Sequence, residues 1–192
     1  MRFWIVHRPV VIAALLGPLL LIALLLGTAQ AQNTGPIAPL DRLFIQLRAA
    51  PDAPAARAIA DQIWQKWTKP EDPELARRMR VVMGQQVMGH PGAAIEALQA
   101  VVKDYPRYAE GWNQLATLHF LMGDYDASLA EIEKVLEFEP RHFGALAGRA
   151  LIYRSQGKQA LAVKDMAAAL AIHPFLAEKA LFPELLDDVT RI

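Results

Sequence analysis

Five histidines, His7, His90, His119, His142 and His173, are the side chains best suited to proton transfer or metal binding near neutral pH. No two of them lie four residues apart, and none belongs to an H-E-x-x-H pair, the spacing that sets two imidazoles on one helix face around zinc. Glu131, Glu133 and Glu137 could in principle share acid–base work, but they read as the solvated outer face of a helix. Asp187 and Asp188 read as a solvated end and not as a metal site. Trp64 and Trp67, three apart, could form a ligand shelf; the expected role is to seal a helical hairpin against the next structural unit. Cysteine is absent, which excludes disulfides, thiolate metal sites and a cysteine nucleophile. No G-x-S-x-G, phosphate-loop or dinucleotide pattern occurs. The expectation is therefore no catalytic set, no cofactor and no metal.

The elements that would position these groups are helical. Gly89, Gly123 and Gly157 recur at a step of 34 residues, and so do Pro106, Pro140 and Pro174. Ala94, Ser128 and Ala162 keep the same step, as do Val101, Val135 and Ala169. A fixed period of this length marks a stack of helix pairs. In the central unit, Glu110 to Met122 reads as a first helix, Gly123 as its left-handed terminator and Asp124 as the N-cap of a second helix running to about Phe138. Lys158 stands where Asp124 stands, so the third unit lacks that cap. Ala116 and Ala150 are expected at helix crossings, facing Ser128 and Ala162, because larger side chains would push the axes beyond about 8–10 Å. Trp112 and Tyr125 are expected in the core.

The residues that carry this frame resemble the tetratricopeptide repeat. The central unit supplies Trp112, Leu115, Ala116, Gly123, Tyr125, Ser128 and Pro140; the following one supplies Ala150, Tyr153, Gly157, Ala162, Ala169 and Pro174. The preceding unit keeps Gly89, Ala94 and Pro106 but lacks the Trp and the Tyr. Repeats are placed at 75–108, 109–142 and 143–176. The resemblance implies an all-α, right-handed α-solenoid of antiparallel helix hairpins with capping helices at both ends. Residues 40–74 form the N-terminal hairpin, with helices Asp41 to Ala50 and Asp52 to about Thr68, as a degenerate repeat or cap. Residues 177–192 form the C-terminal cap, with a helix over Phe175 to Phe182 and a second from Glu184 to Val189.

The resemblance also implies a concave surface lined by the first helix of each pair, where a peptide or protein partner sits. The inward positions are Met79, Met83, Gln86 and Val87, then Asn113, Thr117, Phe120 and Leu121, then Leu151, Arg154 and Ser155. Methionines adapt to varied apolar partners. Some members of the family grip a C-terminal carboxylate with Lys, Asn and Arg. The matching positions here hold Met79, Met83, Gln114, Gly144 and Gly148, so that clamp is absent. His119 stands where the repeat prefers Tyr, and a satisfied, half-buried ring is expected there.

Residues 1–31 begin with Arg2 and Arg8, continue through an uncharged apolar run from Val10 to Gly27, and end on Ala29-Gln30-Ala31. That is the form of a cleavable secretory signal. The alternative is a retained inner-membrane anchor, since about 18 apolar residues can span a bilayer. Either way the positive start directs the folded part outward, to the periplasm. Asn33 to Pro39, with Gly35 and Pro36, reads as a flexible lead-in over 32–39. The whole chain carries 20 basic and 20 acidic side chains. Loss of Arg2 and Arg8 leaves 18 against 20, a net of −2, which disfavours nucleic acid as a partner. Three functions compete: an interaction module in the envelope, a membrane-tethered subunit of an assembly with self-association open, and an enzyme with a dispersed site. Mass spectrometry of the mature protein is expected to find a chain starting at Gln32, and an intact Met1 terminus would establish the tether instead.

Overall fold

The computed structural model describes residues 37–185. Among the described residues there are eight α-helices and no strand: α1 Pro39–Arg48, α2 Ala53–Thr68, α3 Pro73–Val87, α4 Pro91–Asp104, α5 Ala109–Leu121, α6 Tyr125–Phe138, α7 Phe143–Ser155 and α8 Gln159–Ile172. Local sequence sets their limits. Proline occupies the first turn of α1, α2, α3 and α4, where its missing N–H costs nothing. Asp52, Asp72 and Asp124 accept hydrogen bonds from the N–H groups of Ala55, Leu75 and Ala127 at 2.8, 2.7 and 3.2 Å. Helix α1 begins two residues earlier than the hydrophobic pattern suggests, because Pro39 can open a helix. Asp41 then falls inside the first turn and pairs with Arg141 instead of capping.

The three spaced glycines close α3, α5 and α7 with φ of 74°, 79° and 71°. Each is followed by a bond from the next N–H to a carbonyl five residues back, as in Asp124 N–H to His119 O at 2.9 Å. This left-handed stop reverses the chain so that the next helix returns antiparallel.

Helices α3–α4, α5–α6 and α7–α8 are hairpins laid side by side, and the fold is an all-α solenoid. The small residues do what the steric argument requires. Ala94, Ser128, Ala150 and Ala162 are buried at the crossings, and Ser128 Oγ donates to Ala116 O at 2.8 Å. Leu98, Leu115, Ile132, Val135, Ile152 and Met166 fill the space between. Trp112 and Tyr125 are partly buried against this core, and Trp112 Nε1 donates to Pro106 O at 2.8 Å.

Three expectations change. As far as residue 185 the C-terminal segment forms two 3₁₀ turns, Ala177–Leu181 and Pro183–Leu185, in place of the α-helix expected over Phe175 to Phe182, and the rest of the helix expected from Glu184 to Val189 lies outside the described residues. Pro174 and Pro183 bracket too few residues to repay α nucleation, yet Phe182 between the turns is fully buried against α7 and α8. Glu131 does not face water; it is turned between α5 and α6 and bonded to His119 Nδ1 at 2.9 Å. Burial pushes its carboxyl up, while the His119 bond pulls the other way. The His119 ring is half-buried and satisfied. The rings of the tryptophan pair pack on His142 and Phe143, where the second repeat meets the third, and the next repeat is reached only where Trp67 O accepts from Tyr108 O–H. The segment expected as signal and lead-in, up to residue 36, and the Asp187-Asp188 pair lie outside the described residues. Among the described residues no helix is long and apolar enough to cross a membrane.

Gly123→Val should lower stability by about 1–2 kcal/mol, because a β-branched residue resists the left-handed region. Gly84→Ala, mid-helix with nothing within 4 Å of an added Cβ, should raise stability by roughly 0.5–1 kcal/mol. Urea denaturation of both variants checks the pair, and equal effects would contradict the assigned turn geometry.

Candidate functional site: a docked hairpin and the clefts beside it

Helices α1 and α2 lie across the start of the third repeat. Trp67 stacks on the His142 ring with centroids 4.1 Å apart and 9° between planes. Trp64 meets His142 and Phe143 edge-on at 5.3 and 5.6 Å. Such aromatic pairs add about 0.5–1.5 kcal/mol beyond area burial. Gly144 admits Trp64: a Cβ there would lie 3.0 Å from two atoms of the indole. Arg141 ties the hairpin at its edge, bonded to Asp41 at 2.6 Å and lying 4.1 Å over the Phe44 ring. The tie to the first repeat is through main chain, with Tyr108 O–H donating to Trp67 O at 2.9 Å.

Beneath the tryptophans lies a buried polar cluster. His142 is 0% exposed and Glu110 is 1% exposed. His142 caps α7 by accepting from Ala145 N–H at Nδ1, 3.1 Å away. Its ring proton therefore sits on Nε2, which donates to Glu110 at 3.3 Å. Asn113 also donates to Glu110, at 3.1 Å, and Gln114 at 2.5 Å. Gln86 extends the chain by donating to Gln114 at 3.2 Å. The row runs from the first repeat across the second to the N-cap of α7 and satisfies the carboxylate that burial would otherwise penalise. A histidine beside a carboxylate could be catalytic, but this pair is sealed under indole rings with no path for a substrate.

The inward face carries two clefts. One, of about 190 Å³, runs between α5 and α7 and brings Asn113, Thr117, Phe120 and Leu151 together. The second, of about 490 Å³, joins Gln86, Thr117 and Leu121 near the turns of the first two repeats. Thr117 borders both. Val87 is 83% exposed and Leu121 72% exposed, with Met83 also in solvent. Four of the inward positions behave otherwise. Met79 packs into the α3–α4 core. Asn113 is buried and spends its amide on Glu110. Arg154 is taken up by the C-terminal segment, bonded to Leu181 O and lying over Phe182. Ser155 bonds its own helix at Ile152 O. Among the described residues no three His, Asp or Glu side chains cluster to hold a metal ion.

The tetratricopeptide-repeat family model matches residues 85–137 and 113–177. A TPR repeat-containing protein of Rhizobium etli is 37% identical over 142 residues, spanning 74% of this chain and 70% of the relative. The chain belongs to the tetratricopeptide-repeat family. Two crystal structures of MamA align with TM-scores of 0.48 and 0.47, at 20% and 21% identity, over 69% of this chain and 77% and 72% of theirs.

The residues that hold the tetratricopeptide array and its hairpin together include several that periodicity passes over. His142 and Glu110 belong to no motif. Gly144 did carry a signal: a glycine inside a helix costs about 1 kcal/mol relative to alanine, and here it permits the close approach of Trp64. Trp67→Ala should cost about 3–5 kcal/mol and should release the hairpin first. Hydrogen exchange is expected to lose protection over 39–68 while 91–172 stays protected; uniform loss along the chain would contradict this.

Proposed function

We propose that this protein is a non-enzymatic scaffold of the bacterial envelope, exported to the periplasm, that holds a partner polypeptide on the inward face of its repeats. Tetratricopeptide repeats are protein-interaction modules in general. The observation that carries the reading for this chain is the α5–α7 cleft. It gathers Asn113, Thr117, Phe120 and Leu151 from two repeats into one apolar-walled concavity with polar groups along it. The exposed Met83, Val87 and Leu121 beside it supply flexible apolar contact. Export rests on the signal-like residues 1–31, and a retained anchor would keep the same face in the same compartment. The enzyme reading lacks, among the described residues, a nucleophile and base within reach of each other in an open site.

The test is crosslinking in intact cells followed by capture of the protein from the envelope fraction. Thr117→Arg fills the point where both clefts meet, and Thr117 is exposed, so folding should persist. Wild type should capture a defined partner, and the variant should lose it by at least about tenfold, near 1.4 kcal/mol. Equal capture by both would remove the inward face as the binding surface.

A further inference from the structure

A third cleft, of about 290 Å³, lies between α2, the start of α7 and the turn after α8, and it shares Gly144 and Glu178 with the α5–α7 cleft. The two form one trough, bounded on one side by the docked hairpin. Its floor is bare at Gly148, where nothing lies within 4.0 Å of an added Cβ but Ile132 Cδ1, while the Trp64 indole covers Gly144. Two features show polar groups left waiting. His173 is 7% exposed and lines the trough. Its Nδ1 accepts from Phe175 N–H at 3.3 Å, which puts the ring proton on Nε2, and that N–H has no acceptor among the described residues. Burial pushes the imidazole below its ordinary value, although Glu178 nearby pulls the other way, so the ring is a neutral donor. The charges around the trough are Arg57, Asp61 and Glu178. Arg57 and Asp61 are one turn apart on α2, and among the described residues none of the three makes an ion pair, so the trough holds two carboxylates against one guanidinium. Glu178 is the carboxylate common to both clefts.

We propose that this trough holds an extended segment of the partner, with a Lys or Arg side chain against Glu178 and a backbone carbonyl accepting from His173 Nε2–H. The inference rests on the scaffold reading and adds the chemistry that the partner must present. A basic residue follows from the unpaired carboxylate. An extended backbone follows from the side-chain-free Gly148 in the floor and the buried His173 donor on the wall. The docked hairpin thereby contributes Trp64 and Ala60 to the site and is part of it.

The experiment is a positional-scanning library of acetylated, amidated hexapeptides, presented to the full mature chain. Wild type should enrich Lys and Arg at one position. Glu178→Gln should erase that preference and weaken the selected peptides by about tenfold, as loss of a charge-assisted bond does. Gly148→Leu should abolish binding with an unchanged or higher melting temperature, because the nearest atom to an added Cβ is Ile132 Cδ1 at 4.0 Å and leucine is the better helix former. Enrichment of acidic or uncharged residues, a basic preference that survives Glu178→Gln, or full binding by Gly148→Leu would overturn the inference and leave the scaffold reading standing. Wild type that binds no hexapeptide, together with no partner crosslinked in cells, would sink both.

Discussion

A helical hairpin has two apolar faces and can cover only one of them by itself. Everything in this chain follows from how the second face is covered. Within 75–176 the answer is the neighbouring repeat, and stability passes along the array from one pair to the next. That arrangement demands small residues at every crossing and a tight reversal after every first helix. Ser128 in contact with Ala116 O, and the left-handed Gly89, Gly123 and Gly157, meet those demands. At the N-terminal end the answer is different. Helices α1 and α2 cover themselves against Phe143, Ile172 and Leu176 of the third repeat.

The seam between hairpin and array is both aromatic and polar. Trp64, Trp67 and Phe143 supply area on the order of 150–250 Å² each. Directly under them, Glu110 gathers donors from His142, Asn113 and Gln114. A buried carboxylate with its donors in place fixes position more than it adds stability, and removing one donor would leave an uncompensated group. Trp67 Nε1 is buried without an acceptor among the described residues, a cost of about 1–3 kcal/mol. The polar cluster fixes the His142 ring on which Trp67 stacks, and the Tyr108 and Arg141 bonds to Trp67 O and Asp41 tie the hairpin beside it.

This seam shapes the surface open to a partner. The inward face is not a uniform row of first-helix side chains. Asn113 and Arg154 are occupied internally, and Met79 belongs to the core. What remains is an apolar strip around Val87 and Leu121 and a trough beside Gly148 that the hairpin helps to wall. Rigid helices carry both, so the groups lining them are placed before any ligand arrives, and less ordering entropy opposes binding.

The helix pairs, their turn glycines, the Asp124 cap and the buried small residues were legible in the sequence, because each depends on contacts within one 34-residue frame. The apolar clefts on the first-helix face were legible in part, through the resemblance that names inward positions. The hairpin's docking site was not, since nothing in a linear pattern says whether Trp64 and Trp67 cover the next repeat or the third. Nor was the inward turn of Glu131, or the pairing of Glu110 with His142 across 32 residues. Short-range spacing determines which residues become helices and which face is apolar. Long-range closure is decided only when all the apolar faces compete for cover at once, and that competition is settled by shape: a side-chain-free Gly144 leaves room for the Trp64 indole to enter.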